Sequence, residues 1–423
     1  MQIYVVQRGD TLWQIAAQYG VGLDQIISTN GLTNPGSLVV GQALVIPTPQ
    51  SNTYVVQPGD TLWRIAAHYG VSVNAILQEN HLTDPNRIIP GQLLRIPKLE
   101  IEVNGYLIQM GEAGRQTAIN YSRYLTYMST FSYHIQADGS LIPLDEGDIL
   151  QLQKANRCSP VLTITNFRGN KFDSDMVHDF LSNTGAQDTL INNVLNVMKT
   201  KGYTGLNVDF EYIYPKDREL YNAFLRRIVP RIHSAGYLFS TAIAPKIRAD
   251  QPGLLYPAHD YPVHGELDDF VVIMTYEWGW AGGPPLAISP VNEVRKVLNY
   301  AVTQIPSHKI MMGMPLYGRD WKLPYVAGQS LAATISPPEA INRALKYHAA
   351  IQYDTLYQAP YFRYTDENNA IHEVWFEDAR SMQAKYNLVF EYGLRGVSYW
   401  ELSSNFPQNW PVLEANFRIK KLI

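Results

Sequence analysis

Residues 205–212 read GLNVDFEY, so Asn207, Asp209 and Glu211 alternate with Leu206, Val208 and Phe210. On a strand, side chains two apart share a face about 6.6 Å from one another. The run therefore predicts one polar column of two carboxyls and an amide, backed by an apolar column. Two carboxyls held close together raise each other's pKa, because both cannot ionise cheaply side by side. One of them then keeps a proton near neutral pH, which suits a general acid. Such a pair fits glycoside hydrolysis, yet neighbours on one strand stand too close to flank a sugar as opposed acid and nucleophile. A nucleophile is missing, unless the substrate brings its own.

Something must hold that column inward. From residue 100 onward eight apolar runs read as strands: 102–108, 124–133, 160–167, 205–212, 238–245, 269–278, 309–318 and 396–402. Helical patterns fill most gaps, with glycine just past the helix end on both sides of the fourth run (Gly202 and Gly236). This alternation predicts an α/β fold, a (β/α)8 barrel. Barrel interiors are usually filled by branched apolar side chains, so inward carboxylates carry a desolvation cost that structure alone does not require. Glu211, last in the column, falls nearest the C-terminal mouth. A doubly wound sheet is the alternative pattern, but no G-x-G-x-x-G turn follows the first strand, and Walker, G-x-S-x-G and H-E-x-x-H sequences are absent. The stretch from Asp320 to Arg395 is long for one barrel connection and is expected to hold a small insertion wall.

The first hundred residues have a different texture. Residues 4–47 reappear, shifted by 50, as residues 54–97: YVVQRGDTLWQIAAQYGV aligns with YVVQPGDTLWRIAAHYGV, Asn30 with Asn80, and VGQALVIP with PGQLLRIP. Each unit predicts a strand, a Gly-Asp turn, two short helices, the first capped by Asp10 or Thr11, and a closing strand. Modules this small have room only for a surface groove, which favours binding over catalysis. Both resemble the LysM module end to end. That resemblance implies binding of N-acetylglucosamine-containing glycans between the loop after the first strand and the loop before the last. The positions implied are Gly9, Asp10 and Thr11 with Asn30 to Pro35, and Gly59, Asp60 and Thr61 with Asn80 to Pro85. Trp13, Trp63, Tyr19 and Tyr69 are expected in the two small cores rather than against sugar.

A formal charge of -4 and a pI near 6.2 give no electrostatic reason to expect nucleic acid. One cysteine, Cys158, excludes a disulfide framework and a multi-thiolate metal site, and is expected to be a buried thiol. Neither a signal-peptide pattern nor an apolar stretch of about 18 residues occurs, so membrane insertion is not expected and synthesis in the cytoplasm is.

The run at 205–212 resembles the D-G-x-D-x-D-x-E signature of glycoside hydrolase family 18. MTYEW (274–278), MGMPLYGRDW (312–321) and GVSYWEL (396–402) are similar to that family's sixth, seventh and eighth strands. The resemblance implies substrate-assisted catalysis without cofactor or metal, the 2-acetamido oxygen of the sugar being the nucleophile. Glu211 would then be acid and base, Asp209 would steady the acetamide, Tyr276 would bond its oxygen, and Trp400 would floor the reacting sugar. Asn207 joins the catalytic set, and Met274, Tyr317 and Glu277 join Trp400 in contacting substrate. Thr204 and Asn207 replace the family's first two aspartates, and Glu277 replaces the acid after the sixth-strand tyrosine. An amide at 207 cannot share a proton with Asp209, so a lower rate or a shifted pH optimum is expected rather than loss of hydrolysis.

The expected units are residues 1–48 and 53–98 (LysM modules) and 100–423 (barrel). Their order resembles the spore cortex-lytic peptidoglycan N-acetylglucosaminidases, which implies peptidoglycan or another N-acetylglucosamine-containing glycan as partner, spore coat proteins as neighbours, and a place in the coat and cortex region. A chitinase and an inactive glycan-binding lectin are the alternatives; the intact Glu211 argues against the lectin.

Overall fold

A computed structural model describes residues 1–48 and 53–423, so most of the linker read at 48–52 lies outside the described residues. Eight parallel strands form the centre: β1 (Leu99–Leu107), β2 (Tyr127–Ile135), β3 (Ser159–Thr165), β4 (Gly205–Asp209), β5 (Leu238–Ile243), β6 (Phe270–Ile273), β7 (Ile310–Pro315) and β8 (Gly396–Trp400). Each pairs with the next, and β8 pairs with β1, which closes the barrel. The apolar residues of β4 face outward as expected: Leu206 and Val208, with Phe210 just beyond the strand, pack in one cluster with Leu190, Val194, Phe224 and Ile228 of the flanking helices. Those helices start and stop where their end residues allow. Asn183 caps Thr184–Lys201, and Gly202, at φ +78°, supplies the left-handed residue that ends it.

From β3 onward the strands are shorter than the apolar runs that announced them, because the last residues of each run leave the ladder at the mouth. Glu211 stands two residues past the end of β4. The insertion expected after Asp320 is a five-stranded antiparallel sheet beginning at Gly318–Lys322, with helix Pro337–Lys346 against it. Cys158 is fully buried, and burial pushes its thiol up to about 12.

Each LysM module is the expected βααβ unit, with antiparallel strands Gln2–Val5 and Ala43–Ile46 in the first copy and Thr53–Val55 and Leu93–Arg95 in the second. Thr11, not Asp10, caps the first helix, through a capping box with Gln14. Tyr19 and Tyr69 pack edge-on against Tyr4 and Tyr54 at 5.9 Å, as core-flanking residues. The expectation for the tryptophans is corrected: Trp13 is 71% and Trp63 51% exposed, since each lies beside the inward Leu12 or Leu62 and points away from a core too small to take it.

The first module is docked on the barrel domain. Val45 is wholly buried within the barrel's own core cluster, Ile351 donates its backbone N–H to Val40 O, and Arg380 donates to Gly41 O. Gln408 donates to Asn30 Oδ1 and to Ala43 O.

Candidate active site

The barrel mouth gathers the polar column and its surroundings. Asp209 is 3% exposed, and its Oδ1 is buried with no hydrogen-bond partner among the described residues. Burial alone pushes its pKa up to about 7. Glu211 lies higher, partly open to solvent. Its pKa is raised well above the usual carboxyl range by desolvation first, then by the charges of Asp209 and Glu277. A carboxyl in that state carries a proton at neutral pH and can give it up.

Glu211 is fixed through its backbone. Asn166, just past β3, accepts from Glu211 N at 2.9 Å and donates to Glu211 O at 2.8 Å. The carboxyl is thus aimed by a main chain held at both its N–H and its C=O, while its oxygens make no hydrogen bond among the described residues. Tyr212 and Glu277 sit at φ +55° and +67°. A left-handed backbone at a side-chain-bearing residue costs on the order of 1–3 kcal/mol, and such strain collects at functional sites.

Asn207 is buried with both ends of its amide bonded: Oδ1 accepts from Tyr106 Oη at 3.0 Å and Nδ2 donates to Ser240 Oγ at 2.9 Å. It makes no hydrogen bond to Asp209, so it positions the floor of the site. Tyr276 reaches Asp209 and Glu211 closely enough that their charges raise its pKa, after burial and Tyr106. Its ring lies over Gly313, where a Cβ would come within 2.8 Å of Tyr276 Cε1, so only glycine admits it. Trp400 is held by two T-shaped contacts, with Tyr106 at 5.5 Å and Phe131 at 4.9 Å between centroids.

Glu277 accepts from Tyr317 Oη and, at 2.7 Å, from Arg319. Tyr317 is therefore buried with its hydroxyl spent on Glu277, and any effect it has on substrate runs through that carboxylate. Met274 is 9% exposed and belongs to the wall. Tyr106, Asn166, Ser240 and Arg319 were missed in the sequence. Asn166, a polar residue ending the TITN run at the C-terminal end of a barrel strand, carried a signal that position alone could have revealed.

A model of glycosyl hydrolases family 18 matches residues 103–405. The chain belongs to this family. A LysM domain model matches residues 4–47 and 54–97. The cortical fragment-lytic enzyme of Bacillus subtilis (strain 168) is 51% identical, over 100% of this chain and 99% of that protein. Two solved structures are also similar throughout. The Bacillus megaterium QM B1551 spore cortex-lytic enzyme SleL has 42% identity and a TM-score of 0.86, covering 100% of this chain and 99% of that one. The Bacillus cereus spore cortex-lytic enzyme SleL has 42% identity and a TM-score of 0.87, covering 99% and 98%. The protein is a family 18 glycosidase with two glycan-binding LysM domains.

Within those domains the polar residues repeated in both copies serve the modules' own turns. Asp10 accepts from Tyr4 Oη and Gln7 N, and Asp60 accepts from Tyr54 Oη and Gln57 N, each bond 2.7 Å. Gly9 and Gly59 turn the chain at φ +92° and +89°, while Thr11 and Thr61 accept from the helix N–H groups of Gln14 and Arg64. Asn30 is corrected as a glycan contact: it is 5% exposed, its amide closed on Ile26 O, Val45 N and O, and Gln408. Asn80 makes the same bonds to Ile76 O and to Arg95 N and O, without the last partner.

Proposed function

We propose that the chain hydrolyses cortical peptidoglycan fragments after N-acetylglucosamine, with retention of configuration through the substrate's acetamide. The observation that carries this is the pairing of a high-pKa Glu211, whose carboxyl oxygens are free, with a buried Asp209 carrying an orphaned oxygen. Glu277, the other acid at this mouth whose charge reaches Glu211, is tied to Tyr317 and Arg319 and so is not free to act as a nucleophile. Glu211 protonates the leaving glycosidic oxygen while the acetamide oxygen attacks the anomeric carbon. Ionised Asp209 steadies the positive charge on the resulting ring, Tyr276 holds the acetamide oxygen, and Glu211 then takes a proton from the attacking water. Trp400 floors the sugar, Met274 and Glu277 complete the wall, and Tyr317 acts from behind by holding Glu277.

The choice of cortical fragments draws on the names of the relatives that align over the whole chain. The same reading divides the chain into glycan-binding units 1–48 and 53–98 and a catalytic unit 100–423. It places the protein in the spore coat and cortex region with coat proteins as neighbours. No helix among the described residues is long and apolar enough to cross a membrane.

The test is product analysis on cortical muropeptides and on chitin oligomers. New reducing N-acetylglucosamine from the cortical fragments is expected; turnover confined to chitin would sink the proposal. Glu211→Gln should lower kcat by a factor on the order of 10³ or more while peptidoglycan pull-down persists.

The pH profile has a definite sign. Asp209 must be ionised, so kcat/KM rises as pH increases through about 7, and it falls again once Glu211 loses its proton. Asn207→Asp supplies a proton donor toward Asp209, favouring its ionised form and moving the rising limb to lower pH. An unmoved limb would show that position 207 does not act on Asp209.

A further inference from the structure

Beside Glu211 stands a hairpin that the mechanism does not use, Phe167–Arg168 paired antiparallel with Lys171–Phe172 and closed by Gly169, at φ +66°, and Asn170. It is bound to the end of β4. Asn166, which clamps both backbone groups of Glu211, also donates to Asp173 O, and Ser174 donates its hydroxyl to Tyr212 O. Its roots are aromatic: Phe172 meets Phe167 edge-to-face at 5.3 Å and Tyr212 at 6.2 Å, and Phe167 meets His134 of β2 at 5.6 Å.

On this rigid base the tip carries Arg168 and Lys171 directly opposite one another, both exposed. Like charges directly opposite one another across an antiparallel pair destabilise it, a cost that the fold does not need. Asp173 relieves Arg168 only in part. Its Oδ2 lies 3.6 Å from the guanidinium, and its Oδ1 caps helix Ser174–Leu181 through Met176 N. Lys171 makes no ion pair among the described residues. Two cations are thus held next to the catalytic acid, on a chain whose formal charge is -4 and whose barrel mouth holds ionised Asp209 together with Glu277, which Arg319 neutralises only in part. An anionic substrate meets repulsion from the rest of that surface, and a local basic tip offsets it.

We propose that the hairpin at 167–172 is a specificity element that recognises carboxylates on the glycan. Tyr212 and the phenylalanine roots present an apolar sugar-facing platform, and Arg168 and Lys171 engage acidic substituents next to the bond being cut. A neutral N-acetylglucosamine polymer has no group for these cations. The inference rests on the peptidoglycan reading above and extends it, since the peptide stems of peptidoglycan carry free carboxyls and a muramic acid residue without a stem exposes its own.

The experiment compares cortical fragments with free carboxyls, the same fragments with those carboxyls converted to amides, and the double variant Arg168→Glu/Lys171→Glu beside wild type. For wild type, amidation should raise KM about three- to tenfold with kcat little changed, the size expected of two exposed charge contacts. The preference for free carboxyls should shrink with added salt and disappear or reverse in the double variant. Arg168→Lys/Lys171→Arg should restore it, which a merely misfolded tip would not allow. Wild type with equal KM on free and amidated fragments, or a double variant that keeps the preference, overturns the proposal. Wild type that cuts neither form overturns the functional reading itself. Amidase-treated fragments, in which hydrolysis of the lactyl amide removes the stem's carboxyls and frees the muramic acid's own, locate the source: a preference for these over their amidated form shows that a muramic carboxylate suffices, its loss assigns recognition to the stem, and both support the hairpin.

Discussion

The two LysM modules have nearly the same sequence and the same fold, yet they live in different surroundings. Val45 is fully buried in the first copy, where the second has exposed Arg95; Ala43 is 2% exposed against 60% for Leu93, and Val39 5% against 68% for Ile89. Gly31 lies where a Cβ would come within 2.5 Å of Pro407, whereas the second copy carries His81 at the same left-handed position, φ +53°. The differences collect on one face. A duplicated module has kept its scaffold in both copies and turned one face of the first into an interface with the barrel, so that Asn30 and the loop after it lie against the catalytic domain. The second copy keeps that loop clear of the barrel's Pro407 and Gln408.

Exchanging the divergent residues tests this most harshly. Val45→Arg buries an unpaired guanidinium against the barrel core, a mechanism that destabilises by about 4 kcal/mol. The reciprocal Arg95→Val changes a surface position and should stay within about 0.5 kcal/mol. Thermal denaturation measures both, and hydrogen exchange along helix Ala379–Tyr392 reports whether the first module has come away. Similar losses in the two variants would mean that docking is not what separates the copies.

A gentler pair isolates contact from conformation. Gly41 and Gly91 share nearly the same backbone, φ +84° and +85°. A Cβ at Gly91 meets nothing within 4 Å, whereas at Gly41 it would stand 1.8 Å from Ile351 O. Gly91→Ala should cost only the left-handed penalty, about 1 kcal/mol. Gly41→Ala must in addition push the module off the Val40–Ile351 hydrogen bond, and should cost about 2 kcal/mol more. Equal melting temperatures would refute a close approach at that point.

Much of this molecule was legible in the sequence. Eight strands, the outward Leu206–Val208–Phe210 column and the inward acids follow from period-2 alternation within β4 and its neighbours, which is a local property. The two copies could even be aligned by eye, and Val45 against Arg95 or Gly31 against His81 is a visible difference. Its meaning was not visible, because the partners Ile351, Pro407 and Gln408 lie more than 300 residues away and only the closed barrel brings them there. The same limit hid Tyr106 and Ser240, which take up the amide of Asn207 from β1 and β5. Trp13 and Trp63 were misplaced for a different reason: a large aromatic was assigned to a core by type, although a module of this size has no volume to enclose it.

The smallest effect is also the most specific. Gln408 donates to Asn30 Oδ1 at 2.9 Å, while the equivalent Asn80 has no such partner among the described residues of the barrel domain. Gln408→Ala alone should cost about 1 kcal/mol, the usual net worth of such bonds. Combined with Asn30→Ala, the losses should fall short of additivity by about 0.5–1 kcal/mol, because each change removes the same hydrogen bond. Combined with Asn80→Ala they should add within about 0.3–0.5 kcal/mol, since those residues share no contact. A double-mutant cycle by chemical denaturation distinguishes the cases. Coupling of equal size in both cycles would mean that the asparagines respond to global loosening rather than to a bond that only the first module makes.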